Sequence, residues 1–386
     1  MTTLAETKVL LEELVAFPTV SSDSNMAMIA HLASRLDGCG ARVEIYLDPS
    51  GQKANLFATI GPETDGGIVL SGHTDVVPVA DQDWATDPFL ISEADGNLYG
   101  RGTCDMKGFI AAAVAMAPRF AETVRDRPIH FAFTHDEEIG CIGARALAQT
   151  LGEKGLRPSV AIIGEPTSMR IVEGHKGCYE YSTHFTGLEG HGSAPDRGIN
   201  AVEYAARYVA RLLDLKEALK ARAPSRSRFD PPWTTINTGA VIGGHAHNVI
   251  PGLARVDWEM RPVQAGDAEL VKSDLARFCA ETLIPAMRAV SPDADIVTET
   301  IGEVDGLVPA DENEAKEIVM ELTGETEADC VAFGTEGGIF QAMGMSVVIC
   351  GPGSIAQAHK PDEFLAEAQL SDCLQMLDRL GGRLSQ

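Results

Sequence analysis

Short, unbroken apolar runs alternate along the chain with stretches whose apolar positions recur every three to four residues. The runs are IVL at 68–70, IHFAF at 129–133, VAII at 160–163 and VVIC at 347–350. None shows the in-out alternation of a half-solvated strand, so each predicts a strand buried on both faces. Between them, MKGFIAAAVAMAPRF from Met106 and CIGARALAQTL from Cys141 read as helices. Strands alternating with helices predict a doubly wound α/β fold: a central, mostly parallel sheet flanked by helices.

The middle of the chain has another rhythm. Strand-like YEYSTHFTG is succeeded by a helical segment at 200–219, strands TTINTGAVIGG and GLARVDWEMRP, a second helix at 268–290 and a strand ADIVTETIG. That βαββαβ order is the ferredoxin-like unit. ARAPSRSRFDPP at 221–232 reads as an exposed loop within it. The expected division is a first catalytic part at 1–177, an inserted ferredoxin-like domain at 178–302 and a second catalytic part at 303–386. A length of 386 residues, too great for one compact core, points the same way.

The chemistry lies just past the apolar runs. The first leads into SGHTD, the second into THDEE, the third into GEP, and the fourth into GPG with a histidine shortly after. Ligands of open α/β sheets gather at the carboxyl ends of strands, so these residues converge on one site. His73 and Asp75, two apart on a strand, address the same side; Asp75 either binds metal or orients the His73 ring, and the second role is preferred. Asp105 stands where a helix is predicted to begin; alone it would be an ordinary helix-start acid, but beside these strand ends it is a candidate bridge between two cations. Cys104 beside it reads as a packing residue. Adjacent Glu137 and Glu138 would repel one another at a buried strand end, so one binds metal while the other faces a water as general base. With Glu165 and His359 the set becomes two imidazoles and three carboxylates, a donor set suited to zinc, with cobalt or manganese able to substitute.

Charge narrows the partners. Lys and Arg number 31 against 56 Asp and Glu, a net charge of −25 that disfavours nucleic acid and anionic membranes. The amino terminus is acidic and amphipathic rather than leader-like, no stretch is long and apolar enough to span a bilayer, and the eight cysteines form no CxxC pair. The expectation is a cytoplasmic protein with reduced thiols.

SGHTDVVPV, LYGRGTCDMKGF, THDEEIG, IGEPTS, HKG, GHGSAPDRGINAVE and GPGSIAQAHKPDEF resemble, in order and along nearly the whole chain, the signatures of the M20 metallopeptidases, and within them the acetylornithine deacetylases. The resemblance implies two zinc ions per subunit. His73, Asp105 and Glu165 would hold one, and Asp105, Glu138 and His359 the other. Asp75 would support His73, and Glu137 would be the general base. It further implies that the inserted domain is a lid through which two copies form a homodimer, with His191 reaching the partner's site to stabilise an oxyanion. Asn248 and Arg261 match substrate-contacting lid positions, and Gly353 a backbone donor. Thr335 and Glu336 in FGTEGGIF depart from the GG-T-D-type turn of many members, which bears on substrate choice. The implied reaction is deacetylation of N2-acetyl-L-ornithine to ornithine and acetate in arginine biosynthesis. Alternatives are another small N-acylated amino acid, a dipeptide, or a catalytically silent binding or assembly member. A nucleotide-binding protein is disfavoured because no strand is followed by GxGxxG or a P-loop.

Overall fold

A computed structural model describes residues 4–264 and 266–385. The chain forms two compact units, one comprising residues up to Gly174, Pro309–Cys330 and everything from Thr335 onward, the other His175–Val308 with Val331–Gly334.

The first unit is built on a sheet whose strands run, in spatial order, Arg42–Leu47, Ala54–Ile60, Ile129–Thr134, Ile68–His73, Val160–Pro166, Ser346–Gly351, Ile171–His175 and Ala328–Val331. The four apolar runs of the sequence are the central four strands, and they pair in parallel. Ala54–Ile60 is antiparallel to both of its neighbours, and Ile171–His175 is antiparallel to Ser346–Gly351. Parallel strands need cover on both faces, and the central ones are buried almost throughout. Helix Gly108–Ala115 is itself buried along nearly its whole length, with Phe109, Ile110 and a run of alanines against the sheet. The strand makes room for its largest ring by having no side chain there: a Cβ on Gly164 would lie 1.9 Å from the Phe109 ring.

Two predicted helices differ in detail. The segment from Met106 does not run unbroken to residue 120; it divides into Gly108–Ala115 and Ala117–Thr123 around Met116. Asp105 lies before the first of these in a tight irregular turn with extended dihedrals (φ −123°, ψ 92°), followed by a cis peptide to Met106. Cys141 precedes its helix in a left-handed conformation (φ 54°), and the helix is Ile142–Glu153.

The second unit has a four-stranded antiparallel sheet in the order Thr235–Gly243, Leu253–Arg261, Cys178–Thr186, Asp295–Val304. In chain order this is 2-3-1-4, the ferredoxin-like arrangement. Cys178–Thr186 alternates, burying Tyr179, Tyr181, Thr183 and Phe185. The aromatic members pack with Ala205, Tyr208 and Leu212 of helix Ala201–Ala221. That helix is capped by Asn200, whose side chain accepts from the Val202 and Glu203 amides. The expected second long helix is broken, Asp267–Phe278 giving way to a wider turn at Cys279–Leu283 before Ile284–Arg288. Among the described residues no helix is long and apolar enough to cross a membrane.

Candidate metal centre

The carboxyl ends of the central strands deliver the acids and imidazoles to one place in the first unit. His73 is the last residue of its strand and lies in register with Thr134, one strand over, just ahead of Glu137 and Glu138. Glu165 comes from the neighbouring strand on the other side.

His73 Nδ1 lies 2.8 Å from the Asp75 carbonyl oxygen. A carbonyl only accepts, so Nδ1 carries a hydrogen and Nε2 is the nitrogen left to take a proton or a cation. Nε2 faces Asp105 Oδ1 at 3.0 Å and Glu165 Oε1 at 3.6 Å. On the other side, His359 Nε2 lies 3.5 Å from Asp105 Oδ2 and 3.0 Å from Glu138 Oε2. Asp105 thus turns one oxygen to each of two His–carboxylate groups, and within each group the candidate donor atoms lie within 4.8 Å of one another.

An unprotonated Nε2 facing carboxylate oxygens is repulsive, so a proton or a cation must lie between them. The charge balance of the whole cluster has the same sense. Asp75, Asp105, Glu137, Glu138 and Glu165 crowd around two imidazoles, and Glu165 Oε1 is buried with no hydrogen-bond partner. Burial pushes Glu165 well above the ordinary carboxylate range, with Asp105 adding to it. Burial works against charge on His73 too, but Glu165, Asp105 and Asp75 outweigh it and raise that ring well above 6.5. The His359 ring, hydrogen-bonded to Asp105 and Glu138, is raised to about 10. Bare, the cluster holds protons avidly, and divalent cations would serve the same electrostatic need. Nitrogen and carboxylate donors in two groups sharing one carboxylate fit a pair of such ions.

Asp75 is spent on support. Its Oδ2 accepts from Ser21 Oγ at 2.7 Å, and the backbone amides of Glu137 and Glu138 donate to its two oxygens at 3.1 and 3.3 Å. It therefore fixes the turn that carries both glutamates while its own carbonyl fixes the His73 tautomer. Glu137 faces none of the imidazoles within ion-pair distance; the Cys141 thiol approaches its Oε1 at 3.4 Å. Burial raises Glu137 well above 4.5, opposed by His73 and helped by Glu138, Glu336 and Asp75. Cys104 is buried against the Ser354 carbonyl, and burial raises its thiol, so it behaves as a packing residue.

The remaining candidates are dispersed. Thr335 is buried and caps the Gly337 amide at 3.0 Å. The Gly353 amide, at φ +93°, donates to Gln369 Oε1 at 2.6 Å. His191, Asn248 and Arg261 belong to the second unit. There His191 is exposed with Nδ1 2.7 Å from Ser193 Oγ, the Asn248 carbonyl accepts from the Gly192 amide, and Arg261 pairs with Glu259 at 3.0 Å. Two further acids that the motifs did not assign to the centre are buried beside it. Glu336 accepts from Ser71 and Thr134 on the central strands, and Glu363 accepts from the turn carrying Asp105. No local spacing marks either; Glu336 stands out in sequence only as a departure from a turn pattern.

The family model for peptidase family M20/M25/M40 matches residues 69–381. The chain belongs to this family. An acetylornithine deacetylase of Pasteurella multocida is 35% identical over 378 residues, covering 96% of each chain. Another, from Proteus mirabilis, is also 35% identical over 378 residues, covering 96% of this chain and 95% of its own. Among solved structures, a tripeptidase from Staphylococcus aureus has a TM-score of 0.75 at 20% identity, covering 100% of this chain and 99% of its own. Membership makes the chain a metal-dependent amide hydrolase, and the two His–carboxylate groups are its candidate metal ligands.

Proposed function

We propose that this hydrolase removes the acetyl group from N2-acetyl-L-ornithine, releasing ornithine and acetate in arginine biosynthesis in the cytoplasm. The observation that carries the proposal is Asp105, one oxygen toward each histidine, in a chain aligned end to end with acetylornithine deacetylases at 35% identity. His73, Asp105 and Glu165 would hold one zinc ion and Asp105, Glu138 and His359 a second, with cobalt or manganese as substitutes. Bound there, the ions would supply Lewis acidity and lower the pKa of an attacking water.

The protein's own groups do the rest. Asp75 holds the His73 ring and the Glu137–Glu138 turn in place. The Glu137 carboxylate takes a proton from the water as it attacks the amide carbonyl and returns it to the departing α-nitrogen. His191, contributed by the second copy of a homodimer formed through the ferredoxin-like lid, donates to the oxygen on which negative charge develops. Asn248, Arg261, Thr335 and Gly353 serve the carboxylate end and the body of the substrate.

The competing reading within the family is another N-acyl amino acid or a dipeptide. The catalytically silent alternative is disfavoured by the complete ligand set with Glu137 beside it. A panel of N-acetyl, N-formyl and N-succinyl amino acids and dipeptides, with zinc or cobalt added, tests the proposal. N2-acetyl-L-ornithine should turn over fastest; its inertness beside a rapidly cleaved dipeptide would overturn the substrate assignment.

A further inference from the structure

Glu363 is 1% exposed, and its carboxylate is held by the segment that carries Asp105. Oε1 accepts from the Cys104 amide at 2.9 Å and from the Asp105 amide itself at 3.0 Å. Oε2 accepts from the Gly102 amide at 3.0 Å and from Arg101 Nη1 at 2.7 Å. Arg101, equally buried, reaches further: Nη1 lies 3.3 Å from the Lys360 carbonyl and Nη2 donates to Gln82 Oε1 at 2.6 Å. The Gln82 amide in turn donates to the carbonyl of His359 at 2.9 Å. The same two stretches of chain are zipped next to this point, where Phe364–Ala366 pairs with Asn97–Tyr99 and the Gly100 amide donates to the Glu363 carbonyl.

We propose that Glu363, through Arg101 and Gln82, is a positioning residue that sets Asp105 and His359 relative to one another and so fixes the spacing of the metal centre. The inference rests on the metal-binding reading of the site. Asp105 sits in an irregular turn that neither helix nor sheet holds, and His359 lies in a loop at φ 62°. Neither has regular secondary structure to fix it. One carboxylate that accepts three backbone amides of the first loop, and is paired with an arginine bound to the second, supplies the constraint that both lack. Partners that orient metal ligands in this indirect way typically contribute about 10-fold to 100-fold in metal affinity.

The substitution Glu363→Gln replaces one acceptor oxygen by an NH2 group, which must face either the Cys104 and Asp105 amides or the Gly102 amide and Arg101. Donor then meets donor, and the turn has to move. Gln82→Ala removes the link to His359 together with the oxygen that accepts from Arg101 and Trp84, and leaves every contact of Glu363 with the Asp105 turn in place, so it tests the His359 arm separately. The experiment is a competition titration of metal-free protein with zinc against a chromophoric chelator, beside the melting temperature of the metal-free proteins. Glu363→Gln should bind zinc at least 10-fold more weakly, and Gln82→Ala should weaken the second binding step by a smaller factor. At saturating zinc, kcat on the substrate the panel identifies should return to within a few-fold of the parent. Unchanged zinc affinity in Gln82→Ala, together with a Glu363→Gln variant that only melts earlier or does not fold, would overturn the proposal. A parent protein that binds no zinc would instead overturn the metal reading itself.

Discussion

At Asp105 the two carboxylate oxygens face different histidines, and the chemistry of the site derives from that division. Glu137, which pairs with neither imidazole, is the proposed general base. Replacing it by Gln keeps the shape and removes the base, so kcat should fall about 100-fold to 10,000-fold while bound metal stays near the parent value. Elemental analysis beside a turnover assay checks both halves. Asp75→Asn acts differently. Loss of its charge weakens its grip on the Glu137 and Glu138 amides and its field at His73, so metal affinity should drop about 10-fold to 100-fold, measured by chelator competition.

Acid should destabilise the fold through two buried histidines. Burial, with Arg42 adding to it, lowers His130 to about 4, and burial lowers His175 to about 4. His130 lies against Phe57 and Thr59, where its neutral ring accepts or donates a single hydrogen bond. Between the ordinary 6.5 and about 4 the unfolded chain takes up protons that the folded chain refuses. The contribution of these two histidines therefore rises with pH across that window and is lost as pH falls through it. Urea denaturation at pH 7 and pH 4.5 should isolate it as a difference: His130→Gln should lose less stability, relative to the parent, on going to the lower pH. What sequence could convey at this scale was residue type at strand ends. It could not convey Glu363, whose partners Cys104 and Asp105 lie 259 and 258 positions away. The Glu137–Glu138 division shows the same limit: adjacent acids look alike until their surroundings differ.

At the scale of elements, the central strands were legible because burial on both faces leaves few polar residues in them, His130 being an exception. The flanking strands were not. Arg42–Leu47 buries none of its residues, Ala328–Val331 has four residues, and Phe364–Ala366 exists through pairing with Asn97–Tyr99. Such strands are defined by distant partners rather than by their own pattern. The helix from Met106 was overextended because alanine-rich apolar sequence continues through the break at Met116. The close approach of helix Gly108–Ala115 to the strand bearing Glu165 carries its own prediction. In Gly164→Ala the new methyl would lie 1.9 Å from the Phe109 ring, which is wholly buried. Overpacking of this kind costs about 1–3 kcal/mol, and it should displace Glu165 as well. Calorimetry should show a lower melting temperature, and zinc titration a weaker site.

At the scale of the whole molecule, an acidic α/β scaffold concentrates carboxylates at one sheet end, where cations rather than protons would settle. The ferredoxin-like unit was legible from its alternating strands, such as Cys178–Thr186, and its long capped helix Ala201–Ala221. The most direct measurement is acetate release from N2-acetyl-L-ornithine as metal-free protein is titrated with zinc. No acetate should appear without metal, and the rate should rise to a plateau as two ions bind per chain. Full activity in the metal-free protein would show that the carboxylate cluster does not work through bound cations.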